Sequence, residues 1–125
     1  MPAPKEEPPI SPADSEFLNK AVSLVEAHIS TPGYSVEQLS KDLCMERSGL
    51  YKKLNTLLDK SPSLFIRSIR LKRAADLILE GNLSLTEIAE TVGFSTPSYM
   101  SKCFTEEFGC RPSEYAARMQ KSPKG

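Results

Sequence analysis

Tryptophan is absent from the 125 residues, histidine occurs once, and cysteine occurs three times, at Cys44, Cys103 and Cys110. One histidine and no C-x-x-C pair leave a zinc centre without ligands. An odd, scattered set of thiols makes no disulfide framework, so the three read as small buried side chains in a reducing cytoplasm. No apolar run is long enough to span a bilayer, and no secretory apolar segment follows Met1. A glycine-rich phosphate loop is missing, and no nucleophile has a paired base, since His28 falls on the packed stripe of a helix. An enzyme is therefore not expected, and neither is a cofactor. Net charge is missing too: sixteen basic side chains cancel sixteen acidic ones.

The distribution of charge says more than its sum. Up to Glu46 the basic residues are Lys5, Lys20 and Lys41. Between Arg47 and Arg73 stand Arg47, Lys52, Lys53, Lys60, Arg67, Arg70, Lys72 and Arg73, with Asp59 the one acid. Such a band fits either a solvated helix surface or a face that holds a polyanion. Residues 1–13 hold five prolines and almost no large apolar group. That composition predicts a disordered linker or tail and suggests a piece of a longer protein. Residues 119–125 read as a second disordered tail.

Between the tails the pattern is helical, and no segment alternates as a strand. Phe17, Leu18, Ala21, Leu24, Val25 and His28 define a first helix over about 14–29, ended by Thr31-Pro32-Gly33. Ser61-Pro62 opens a long helix that runs to Gly81-Asn82. The segments on either side of it repeat. Ser35-Val36-Glu37-Gln38 and Ser84-Leu85-Thr86-Glu87 both have the form of a capping box. At the same 49-residue offset Leu39 matches Ile88, Leu43 matches Val92, Met45 matches Phe94 and Lys53 matches Lys102. After a one-residue slip, Pro62-Ser63-Leu64-Phe65 matches Pro112-Ser113-Glu114-Tyr115. The chain is read as a duplication.

Each copy is a short helix, a tight break and a second helix, which is the helix-turn-helix spacing. In the second copy Gly93 stops the first helix, Phe94 plugs the core, and Ser95 or Thr96 caps the next, with Pro97 in its first turn. In the first copy Cys44 stands at the glycine position and Met45 is the plug. The fold class is all-α: a first helix-turn-helix over about 34–60, a connecting helix over 62–80, a second helix-turn-helix over about 84–109 and a last helix over 112–118.

A major groove admits one such helix, and its base edges carry a distinct donor and acceptor pattern. Leu50, Leu54 and Leu57 are expected inward in the first copy, and Tyr99, Cys103 and Phe104 in the second. The outward candidates for base contact are Arg47, Ser48, Tyr51, Lys52, Thr96, Ser98, Ser101 and Lys102. The candidates for phosphate contact are Ser35 and Ser84 at helix N-termini, with Lys53, Arg67, Arg70, Lys72, Arg73 and Thr105. The expected partner is double-stranded DNA, read in successive major grooves about 34 Å apart. A helical adaptor with a basic face is the alternative, but it leaves the duplicated capping and break pattern without a reason. RNA is disfavoured because the aromatics read as inward.

The run from Ile88 through Gly93-Phe94 and Pro97-Ser98-Tyr99 to Arg111-Pro112-Ser113-Glu114-Tyr115 resembles the signature of the AraC/XylS family, as does Leu39–Leu54 with Arg70–Ala75. The resemblance covers about residues 34–118. It implies a seven-helix DNA-binding domain in transcription regulation, with recognition helices at about 47–57 and 96–108. The lead-in from Phe17 to His28 is similar to that of hybrid two-component regulators. A parent of that kind implies histidine kinase activity, membrane anchoring and dimerisation outside this segment, with activation through RNA polymerase. Two departures from the pattern stand out: Cys44 and Glu46 replace glycine and serine, and Asp59 replaces a later glycine. They imply weaker capping of the first half.

Overall fold

A computed structural model describes residues 11–31 and 33–120. The helices are α1 (Pro12–Ala27), α2 (Val36–Asp42), α3 (Arg47–Leu58), α4 (Pro62–Glu80), α5 (Leu85–Val92), α6 (Pro97–Phe108) and α7 (Pro112–Gln120). No strand occurs among the described residues. Most of the expected linker at 1–13, and the tail from 121, lie outside the described residues. The first helix starts at Pro12, two residues earlier than expected, because Ser11 caps it by accepting from the Asp14 N–H at 3.1 Å. Likewise α7 runs two residues past 118.

Local chemistry sets the remaining boundaries. Ser35, Ser61, Ser84 and Thr96 each accept from the backbone N–H three residues on. Ser84 and Glu87 complete a reciprocal box, with Glu87 Oε1 accepting from the Ser84 N–H at 2.9 Å. The first copy keeps only half of it: the Gln38 amide donates to Asp42 at 3.4 Å instead of standing opposite the Ser35 N–H as an acceptor. Glu46, at the start of α3, makes no side-chain cap at all. Helix α1 ends at Ala27, short of the expected 29; the His28 ring donates from Nδ1 to the Leu24 carbonyl at 3.0 Å and stacks on Tyr34, 4.4 Å between centroids.

The duplication is visible in the hydrogen bonds. Cys44 N–H donates to Lys41 O and Met45 N–H to Ser40 O; 49 residues later Gly93 N–H donates to Glu90 O and Phe94 N–H to Ala89 O. Both stops are left-handed, with φ of 58° at Cys44 and 88° at Gly93.

Two cores result. One gathers Ala21, Val25, Tyr34, Leu39, Leu50, Leu54, Phe65 and Ile66; the other gathers Leu71, Ala74, Ile88, Val92, Met100 and Phe104 among others. Helix α4 belongs to both, its N-terminal half to the first and its C-terminal half to the second. Arg70 stands at the crossover, buried to 6% exposure. Its Nη1 donates to Ile29 O at 2.6 Å and Val92 O at 2.7 Å, and its Nη2 to Thr31 O at 3.1 Å. Arg70 was expected on the surface, at phosphate. It is instead the polar bolt between the halves, because three backbone carbonyls, two just beyond α1 and one at the end of α5, converge on it. Burial lowers its pKa from the ordinary arginine value. Of the three thiols, Cys103 and Cys110 are buried as expected and Cys44 is exposed, since the left-handed stop turns it outward.

Candidate nucleic-acid interface

The slip between the two copies lies in the turn, ahead of the second helix of each motif. Glu46 precedes α3 directly after Met45, whereas Ser95 and Thr96 both separate Phe94 from α6. Beyond the turn the offset is therefore 50. Leu50 then pairs with Met100 and Leu54 with Phe104, all four with no exposure, and the left-handed ends Asp59 and Gly109 also pair. The expected match of Lys53 with Lys102 is corrected: Lys102 corresponds to Lys52, and Lys53 to buried Cys103.

Lys53 consequently faces α1. Its Nζ is 3.3 Å from Asp14 and lies over the Phe17 ring, 5.2 Å from the centroid. That engagement ties its ammonium to α1. Lys52 and Lys102 are exposed at the centre of each outward stripe. Around them in α3 lie exposed Arg47, Ser48 and Tyr51; around Lys102 in α6 lie exposed Ser98 and half-buried Ser101. Thr96 is the α6 cap, with Oγ1 accepting from the Tyr99 N–H at 3.0 Å.

Tyr99 corrects another expectation. It is 48% exposed, and Met100 takes the inward place, because entering α6 at Pro97 rotates the stripe by one residue. Leu57 is only partly buried. Asn55 is exposed seven residues after Ser48 on the same α3 stripe and was missed; the helical repeat from Ser48 was the signal for it. Thr105 donates its hydroxyl to Ser101 O at 2.9 Å, within the helix.

Helix α4 does not present its cations together. Arg67 pairs with Glu106 of α6 at 3.6 Å and lines an open groove of about 320 Å³ with Ser63, Leu64, Ser95 and Tyr99. Lys72 and Arg73 line a second groove of about 820 Å³, among Val22, Glu26, Phe108 and Tyr115. Five residues separate Arg67 from Lys72, about 140° around a helix. The basic band of the sequence is thereby divided: one member buried, two ion-paired and the rest split between faces. An adaptor with one basic face loses its surface. Ser35 and Ser84 stay at their helix N-termini as caps.

The two exposed helix faces differ in charge. Helix α3 carries Arg47, Lys52 and Lys53 and no acid, whereas α6 carries Lys102 alone with Glu106 and Glu107 in its last turn. Helices α3 and α6 share no substantial contact; each packs on α4. No helix among the described residues is long and apolar enough to cross a membrane.

The profile of a helix-turn-helix domain family matches residues 39–118. Histidine kinase P4 of Formosa agariphila is 37% identical over 109 residues, which is 87% of this chain and 8% of that protein. Across the curated relatives the chain spans between 8% and 37% of their length. Among solved structures, an AraC-type DNA-binding-domain regulator from Chromobacterium violaceum superposes with a TM-score of 0.79 at 27% identity, covering 92% of this chain and all of that one. The C-terminal domain of AraT, a response regulator from Geobacillus stearothermophilus, gives a TM-score of 0.73 at 28% identity and covers 86% of each chain.

Proposed function

The chain belongs to the AraC-type helix-turn-helix family of DNA-binding transcriptional regulators, and from that premise we propose that it is the output module of a longer signalling protein. In this reading α3 and α6 enter successive major grooves on one side of a duplex. Arg47, Ser48, Tyr51 and Lys52 meet one groove, and Thr96, Ser98, Ser101 and Lys102 the next. Arg67 and the caps at Ser35 and Ser84 lie along the backbone, with Lys72 and Arg73 contributing long-range attraction. One observation carries this: two exposed, polar helices, sharing no substantial contact with each other, are held by one connecting helix whose buried Arg70 bolts both halves.

The kinase relative and the response-regulator neighbour support a hybrid two-component parent. Its kinase activity, membrane anchor and dimer contacts would then lie in other segments, and this domain would work in the cytoplasm as an activator that engages RNA polymerase.

A gel-shift assay with a random duplex library, single-stranded RNA and heparin tests the DNA reading. Retention of a sequence-selected subset of duplexes is expected. Retention governed by charge alone, with heparin competing as well as any duplex, overturns it.

A further inference from the structure

At the offset of 50, α3 and α6 align over twelve positions, and only two carry the same residue: Ser48 with Ser98, and Lys52 with Lys102. The buried pairs have changed, Leu50 to Met100 and Leu54 to Phe104, as has the partly buried pair Leu58 and Phe108. The matching residues are the ones no packing constraint holds. Ser48, Ser98, Lys52 and Lys102 are all exposed, and among the described residues neither lysine has an ion-pair or hydrogen-bond partner.

Geometry sets what these pairs can touch. Residues four apart lie one above the other on a helix face. Lys52 stands two residues after Leu50 and two before Leu54, so at about 100° per residue it points directly away from the buried seam. Lys102 stands likewise between Met100 and Phe104. When a helix lies in a major groove, this line faces the groove floor, while phosphates flank its sides. An ammonium there meets the O6 and N7 acceptors of guanine, the base edge that accepts twice. The flanking positions differ: Gly49 against Tyr99, and Asn55 against Thr105.

We infer that the two halves read the same guanine-bearing step, so that one bound duplex carries that step twice, one helical turn apart at about 10–10.5 base pairs, with unlike flanks. This rests on the DNA reading above and adds the sequence element that both copies share.

Selection of bound duplexes from a random pool by the whole chain tests it. The expected result is guanine enriched in two windows one turn apart. Lys52→Ala should flatten the preference in one window and Lys102→Ala in the other, each by about tenfold. Replacing guanine by 7-deazaguanine in either window should weaken binding of the unaltered protein. A Gly49→Tyr, Tyr51→Ser, Asn55→Thr variant should make the flanks converge; Gly49 has room, since a β-carbon there would meet only Met45 Cε at 3.8 Å. Enriched duplexes whose two windows share no guanine step, or indifference to 7-deazaguanine, overturn the shared element while leaving DNA binding intact. No enrichment at all overturns the DNA reading and the inference with it.

Discussion

The guanidinium of Arg70 occupies the space that a β-carbon on Gly93 would fill. Gly93 also has φ of 88°, a conformation that disfavours side chains, and Ile29 O crowds the same space. One glycine thus satisfies two demands, a left-handed helix stop and passage of a buried cation. Gly81 and Gly109 satisfy only the first, with nothing within 4 Å of an added β-carbon.

A double-mutant cycle measures this relationship. Gly93→Ala should cost about 3 kcal/mol, from positive φ and collision together, against about 1 kcal/mol for Gly81→Ala or Gly109→Ala. Arg70→Ala should cost on the order of 3 kcal/mol by leaving carbonyls unpaired. In the Arg70→Ala background, Gly93→Ala should cost less than it does alone, because the guanidinium is gone. Urea denaturation of the four proteins checks it, and strict additivity would refute the contact.

The weak entry into α3 can be repaired. Cys44→Gly relieves a left-handed non-glycine residue, and Glu46→Ser supplies the missing cap. Each should stabilise by about 1 kcal/mol and raise the thermal midpoint. No change in either variant would mean that the turn is already unstrained.

Alkaline stability should depend on Tyr34. Burial, together with its hydrogen bond to Asp42 at 2.9 Å and the Asp42 charge, raises its pKa from 10.0 to about 12. Below pH 10 the phenol is protonated in both folded and unfolded chains, and its full contribution is present. As pH rises from 10 through 12 the unfolded chain ionises first, and about 2–3 kcal/mol is lost. Tyr34→Phe should remove that portion of the pH slope in chemical denaturation, leaving the lysine contribution common to both proteins.

Electrostatics should be uneven between the halves. Arg47→Ala and Lys52→Ala should each weaken binding to unselected duplex. Any of them that neutralises a phosphate should reduce the slope of log affinity against log salt by about one. Glu106→Gln should do the opposite, strengthening binding to all sequences by freeing Arg67. Fluorescence anisotropy over a salt series distinguishes these outcomes.

The seven helices and both helix-turn-helix motifs were legible in the chain because they rest on local chemistry. Hydroxyl caps, glycine or its substitutes in left-handed breaks, proline in first turns and the spacing of apolar residues all act within a few positions of one another. Outward placement of Ser48, Lys52, Ser98 and Lys102 followed from the same periodicity. Tyr99 was misplaced by one position, since the one-residue slip between the copies is legible in the sequence but its place, ahead of α6, shows only once both cores are assembled.

Sequence alone determined which residues are helical and which stripe of each helix is apolar, because those depend on neighbours three or four positions away. Only tertiary structure decided the fate of the cations. Arg70 finds its acceptors 41, 39 and 22 residues away, and Lys53 finds Asp14 across α1. A charged side chain goes where packing leaves unpaired groups of opposite polarity, and those groups meet only when distant helices do.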